Sequence, residues 1–169
     1  MDFKSKNMKK IYLSGPVSGR PLEEARVQFG LAEEFLLKHF GRENIEVYNP
    51  MKFNEYTPEK KWQDYMHTCL AVLETCDVIL MLKDWQNSCG AKCEYLYAQG
   101  CGIERWVMCT DVLTSKGVVE TKILTHEGYI KTQVDKLFQM SNGFNASRIF
   151  TDERRGHAVV DDSEQPNSL

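Results

Sequence analysis

Four short apolar runs, Lys10 to Leu13, Ile45 to Tyr48, Asp77 to Leu82 and Arg105 to Cys109, alternate along this chain with stretches of helical periodicity. Runs of this length read as buried strands, and strands separated by helices pair in parallel under helices on both faces of the sheet. Pro21 suits the first position of a helix in which Ala25, Phe29, Ala32, Leu36 and Phe40 recur before Gly41 stops it. Glu59 to Thr75 is a second helix with Trp62, Met66, Cys69 and Leu73 on one face, and Met51 to Pro58 before it reads as an irregular connection. A third helix follows the third strand. Ser88 is its expected N-cap, Gly90 allows a tight turn, and Gly100 with Gly102 supplies the stop. Beyond Thr110 the pattern weakens to an edge strand over Val118 to Leu124 and an amphipathic helix carrying Tyr129, Ile130, Val134, Leu137 and Phe138. Residues 1–150 are expected to form one domain, with a mobile polar tail over 151–169.

Composition narrows the classes of partner. With 27% charged residues and a formal net charge of −3, the chain has no basic excess to attract a nucleic acid polymer. No run approaches the roughly 20 apolar residues of a membrane span. Met1 to Lys10 lacks the apolar segment of a secretion signal, so a soluble cytoplasmic protein is expected. The six cysteines then read as reduced thiols. Cys89 and Cys93 are four apart, but no second ligand pair follows and the histidines are scattered, so no metal site is expected.

Two loops and one carboxylate carry the functional signal. Ser14 to Arg20 brings Ser14, Gly15, Ser18, Gly19 and Arg20 together just before a helix, where amides, hydroxyls and a guanidinium can hold an anion; a tight structural turn is the other reading. The loop matches neither dinucleotide nor P-loop fingerprint, and no cofactor is expected. Gln86 to Gly90 opens at the same sheet edge if its strand neighbours the first. Glu94 lies about one turn into the helix that follows, as a candidate for chemistry or as a solvated helix glutamate. Two polar, glycine-bearing loops converging on one carboxylate suggest a pocket for a small polar ligand such as a nucleotide or sugar. Trp62, Tyr65 and Trp85 could wall that pocket, form an interface, or belong to the core.

Taken together, Lys10-Ile-Tyr-Leu-Ser-Gly-Pro-Val-Ser-Gly, Tyr48-Asn-Pro, Trp62-Gln-Asp-Tyr-Met, Cys76-Asp-Val-Ile-Leu-Met-Leu and Trp85-Gln-Asn-Ser-Cys-Gly-Ala-Lys-Cys-Glu-Tyr resemble a bacterial and phage domain family of unassigned function. That family is similar to the nucleoside 2-deoxyribosyltransferases and the deoxynucleoside 5′-monophosphate N-glycosidases, and the resemblance covers roughly residues 9–110. It implies a flavodoxin-like or Rossmann-like three-layer α/β sandwich on a mainly parallel sheet of four to five strands. It implies a small-molecule nucleotide or nucleoside as partner and a homo-oligomer, a dimer or larger. The nucleophile of such enzymes is a helix glutamate, matched by Glu94, oriented by a first-strand tyrosine, matched by Tyr12. Their phosphate-binding positions match Ser14, Gly15, Ser18, Gly19, Arg20 and Ser88, the last being a serine where the transferases carry an aspartate. Gly90, Asp77 and Trp85 complete the expected substrate-binding set, Asp77 having as its other reading a residue that caps or orients the entrance of the third strand. The enzymes' proton-donating aspartate falls at Cys69, eight residues before Asp77, and a thiol is a poor proton donor at neutral pH.

Overall fold

The computed structural model describes residues 8–113, 119–137 and 139–140. In chain order the elements are β1 (Lys9–Ser14), α1 (Leu22–Phe40), β2 (Ile45–Tyr48), α2 (Pro50–Phe53), α3 (Trp62–Leu73), β3 (Val78–Met81), a single 3-10 turn (Trp85–Asn87), α4 (Cys89–Cys101), β4 (Glu104–Leu113) and β5 (Val119–Thr125). They form one five-stranded sheet in the order β2-β1-β3-β4-β5. The first four strands are parallel and β5 is antiparallel to β4. This is the flavodoxin-like strand order, in which the direction of winding reverses between β1 and β3.

Both faces of the sheet are covered, so its central strands alternate between two cores. Ile11, Leu13, Val78 and Leu80 pack against Phe29, Ala32 and Leu36 of α1. Tyr12, Ile79, Met81 and Val107 pack on the other face against Cys69 and Leu73 of α3 and Ala91 and Ala98 of α4. The period-2 alternation of strand side chains explains why both faces of one strand are apolar here.

Three local expectations change. Met51 to Pro58 is not wholly irregular, because Asn49 acts as an N-cap: its side-chain oxygen accepts from the Met51 amide at 3.0 Å, and Pro50 opens α2. Gly90 lies inside α4, and the tight turn falls at Asp84, which holds a left-handed φ of 63°. The helix expected over 59–75 is shorter, starting after Lys61, whose amide donates to Asp64. The strand expected at 118–124 is observed as β5, and the helix expected near 129 starts at residue 126.

The chain divides into two compact units, Met1–Tyr129 and Ile130–Leu169. The first contains the whole sheet, and the described residues of the second are helical. Phe138 and the tail expected over 151–169 lie outside the described residues.

Gly15 sits where β1 hands over to the loop before α1, and a Cβ there would stand 3.1 Å from Leu82 Cβ and 3.3 Å from Phe29 Cζ. Neither neighbour is the free end of a flexible chain. Gly15→Ala is therefore expected to lower stability by about 1–3 kcal/mol in urea unfolding. Gly30 lies inside α1 with open space around it, and Gly30→Ala should raise stability by about 0.4–1 kcal/mol in the same assay.

Candidate functional site

The site begins with the way α4 meets the sheet. Ser88 caps the helix, its Oγ accepting from the Ala91 amide at 3.2 Å. Ala91, Glu94 and Ala98 are the buried positions of α4, spaced so that all three face the strands. The two alanines leave room for close approach. Glu94, only 6% exposed, reaches over the carboxyl end of β1.

β1 meets that carboxylate with two hydroxyls. Tyr12 and Ser14 are two apart on one strand and so point to the same face. Tyr12 donates its hydroxyl to Glu94 Oε1 at 2.7 Å, and Ser14 donates to Oε2 at 2.5 Å. Cys69 of α3 lies against the same group, its Sγ accepting from Asn54 Nδ2 at 3.2 Å. Burial pushes the Glu94 carboxyl up to about 7, while the hydrogen bonds from Ser14, Tyr12 and Cys69 pull it back down. Burial, and then the charge of Glu94, raise the Cys69 thiol to about 11 and hold the Tyr12 phenol well above its ordinary value.

A cleft of about 320 Å³ opens over this cluster at the carboxyl edge of β1 and β3. Glu94 and Cys69 form part of its lining, with Gly15 and Ser18 from the first loop and Ser88 and Gly90 from the second. Tyr56, Trp62, Tyr65 and Met66 make an aromatic and thioether wall. Tyr12 and Ser14 stand behind Glu94 as its supports rather than on the surface of the cleft.

Ser14, expected among the phosphate-binding positions, is committed to Glu94 instead, and four further expected residues are elsewhere. Arg20 is turned toward α1, donating to Gln28 Oε1 at 2.6 Å. Asp77 is at the opposite edge of the sheet, where its carboxylate accepts from the Lys10 amide at 2.7 Å and ties β3 to β1. Trp85 stacks on Tyr95 with ring centroids 4.7 Å apart and packs with the α3/α4 core. Gly19 has a left-handed φ of 83° and open space around it, as a turn requires, and is not part of the cleft lining. The aromatic patch is thereby divided: Trp62 and Tyr65 line the cleft and Trp85 does not.

Sequence reasoning missed Asn54 and Tyr56, both in the stretch read as irregular. Their only advance signal was the Asn49-Pro50 cap, which fixes where that stretch leaves β2. Among the described residues no group of three or more His, Cys, Asp or Glu side chains could hold a metal ion. Nor is any helix among them long and apolar enough to cross a membrane.

Comparison with known proteins adds three findings. Residues 9–107 match a family model described as "Domain of unknown function (DUF4406)". No curated protein matches. Among solved structures, a conserved protein from Enterococcus faecalis V583 is 19% identical with a TM-score of 0.45, the match covering 58% of this chain and 61% of that one. A 2-desoxiribosyltransferase from Leishmania mexicana is 18% identical with a TM-score of 0.41, over 66% of this chain and 78% of that one.

The buried carboxyl has a consequence for stability. The folded protein holds a proton on Glu94 up to about pH 7, whereas an exposed glutamate loses it near 4.5. Folding then binds a proton between these values, so the Glu94 contribution is most favourable below pH 4.5 and declines as pH rises to 7. Glu94→Gln removes the titration. Its stability relative to the native protein is expected to rise between pH 4.5 and 7, by up to about 3 kcal/mol at the plateau, and denaturant unfolding at a series of pH values measures it.

Proposed function

The chain belongs to the family described as domain of unknown function (DUF4406), and we propose that it is an N-glycosidase or glycosyl transferase that cleaves the N-glycosidic bond of a nucleotide or nucleotide-like small molecule, with Glu94 as nucleophile. One observation carries this reading. A carboxylate at the floor of an aromatic-walled cleft is held by two hydroxyl donors from a single strand. It is fixed in orientation, shielded from water and near its midpoint at neutral pH. The motif resemblance independently selects the same glutamate and the same tyrosine.

The chemistry follows from those contacts. An ionised Glu94 stabilises the oxocarbenium-like charge that develops as the C–N bond stretches, and then attacks the anomeric carbon to form a glycosyl ester. Water or a second acceptor resolves the ester with net retention. Tyr12 and Ser14 hold the two oxygens still and favour the charged form. Ser18, Ser88 and the backbone at Gly15 and Gly90 bind the sugar end of the ligand, and Trp62, Tyr56 and Tyr65 stack on the base.

A second reading has its own support. Cys69 stands where the resemblance calls for a proton-donating carboxylic acid, and its thiol is pushed up to about 11. A pocket of this architecture that binds or senses a nucleotide without turning it over would tolerate that exchange.

Incubation with a panel of deoxy- and ribonucleoside monophosphates, read as free base by chromatography, separates the two. Turnover is expected, and Glu94→Ala should reduce it by about 10³-fold or more. Thermal stabilisation by the ligands with no base released would instead establish the binding module. In the active protein, kcat/KM is expected to rise with pH through a midpoint near 7 as Glu94 ionises. Tyr12→Phe removes a donor to the charged form, so the midpoint should move to higher pH and kcat should fall about tenfold or more.

A further inference from the structure

The inventory of protons in the cleft restricts which N-glycosides it can open. A neutral nucleoside expels its base as an anion unless an acid protonates the base during cleavage, and a positioned acid is typically worth about 10²–10⁴-fold. Glu94 is the only carboxyl lining the cleft among the described residues, and it cannot be nucleophile and acid in the same step. The hydroxyl of Tyr65 is committed, donating to the Thr57 carbonyl at 3.0 Å while accepting from the Thr57 amide at 2.9 Å. Tyr56 and Cys69 are both held in their protonated forms far above neutrality, chiefly by burial. No Lys, Arg or His lines the cleft among the described residues.

The charge of the same surface points in one direction. Among the described residues, the one carboxylate of its lining sits at the floor, and no cationic side chain is part of that lining. Tyr56 and Tyr65 stack on each other at 4.9 Å, Lys60 Nζ lies 4.7 Å from the centre of the Tyr65 ring, and Trp62, 46% exposed, stands at the mouth. The exposed indole of Trp62 in the same cleft as a lone carboxylate attracts a cation, as the Tyr65 ring already does with Lys60, and a cation there stabilises the ionised carboxylate that burial disfavours.

Resting on the glycosidase reading of this cleft, we infer that the preferred substrate is an N-glycoside whose leaving nitrogen already carries positive charge, such as a pyridinium or N7-alkylated purine nucleoside. The balance then needs no acid. The C–N bonding pair moves onto the ring nitrogen, which departs neutral, while a Glu94 oxygen forms the new bond to the anomeric carbon. Water attacks that carbon, the C–O bond to Glu94 breaks with its pair returning to the carboxylate, and the proton from water passes to solvent. One proton is released per turnover.

The test pairs substrates that differ in charge. 7-Methylguanosine is compared with guanosine, and nicotinamide riboside with uridine, following base release and acidification of a weakly buffered solution. The charged member of each pair is expected to have a kcat/KM about 100-fold higher or more, with one proton released per base from nicotinamide riboside, whose charge is fixed, and Glu94→Gln should abolish release from both. Equal or faster release from the neutral members overturns the inference and leaves the glycosidase reading intact. Release from none of the four, with base freed from nucleoside monophosphates, does the same. Absence of release from any nucleoside or nucleotide overturns both.

Discussion

The hydrogen bonds from Tyr12 and Ser14 to Glu94 are the interaction on which the site depends. Burying a carboxylate with no partner costs several kcal/mol, and the ordinary outcome is that the group is neutralised or moves to solvent. Two charge-assisted bonds, each worth roughly 1.5–3 kcal/mol, offset much of that cost without removing it. The residue is a carboxyl balanced near neutrality, where a small change in surroundings decides whether it carries charge. Without the hydroxyls it would remain protonated; without burial it would be an ordinary acid, ionised but heavily solvated.

That balance requires a particular approach of helix to sheet. Glu94 can reach the strand because its neighbours on the buried face of α4 are alanines, and larger side chains at Ala91 or Ala98 would hold the helix away from Tyr12. β1 must also run beside β3, so that the first loop and the start of α4 open at one edge. The reversal of winding between these strands creates the crevice, as it does for open α/β sheets in general. α2 and α3 then form its third side. The Asn49 cap turns the chain out of β2 early enough for Asn54 to reach Cys69 and for Tyr56 to stack on Tyr65.

Much of this was legible in the chain because the signals were local and periodic. The strand runs, the helix faces and the Ser88 cap depend on spacing alone, and they appear within a few residues of expectation. That Glu94 is buried against Tyr12 was legible only because several motifs occur in one order, since spacing alone would equally allow a solvated glutamate. The placement of other residues needed three-dimensional information. Arg20 looked like part of the anion loop, but its partner is Gln28, two turns along the next helix and invisible to any motif. Asp77 follows a helix and opens a strand, which fixes it at the amino edge, far from loops that follow strands. Trp85 is as aromatic as Trp62, and only the path of the 3-10 turn lays it, half-buried, against the core instead of in the cleft.

The thiol at position 69 is better understood through Glu94 than by itself. Two carboxyls in contact within a buried cleft titrate as a pair, each resisting the ionisation of the other. A carboxyl at 69 would therefore drive one of the two still higher, and the site would carry one negative charge shared between two groups near neutrality. Cys69 stays neutral to about 11, so nothing competes with Glu94 for the charge. The thiol also adds a weak hydrogen bond to the charged form, and Asn54 holds the sulfur in position for it. The exchange of an acid for a thiol thus sacrifices a proton donor and gains an undivided negative charge at the base of an aromatic cleft. A guest that brings its own positive charge needs only the second of these.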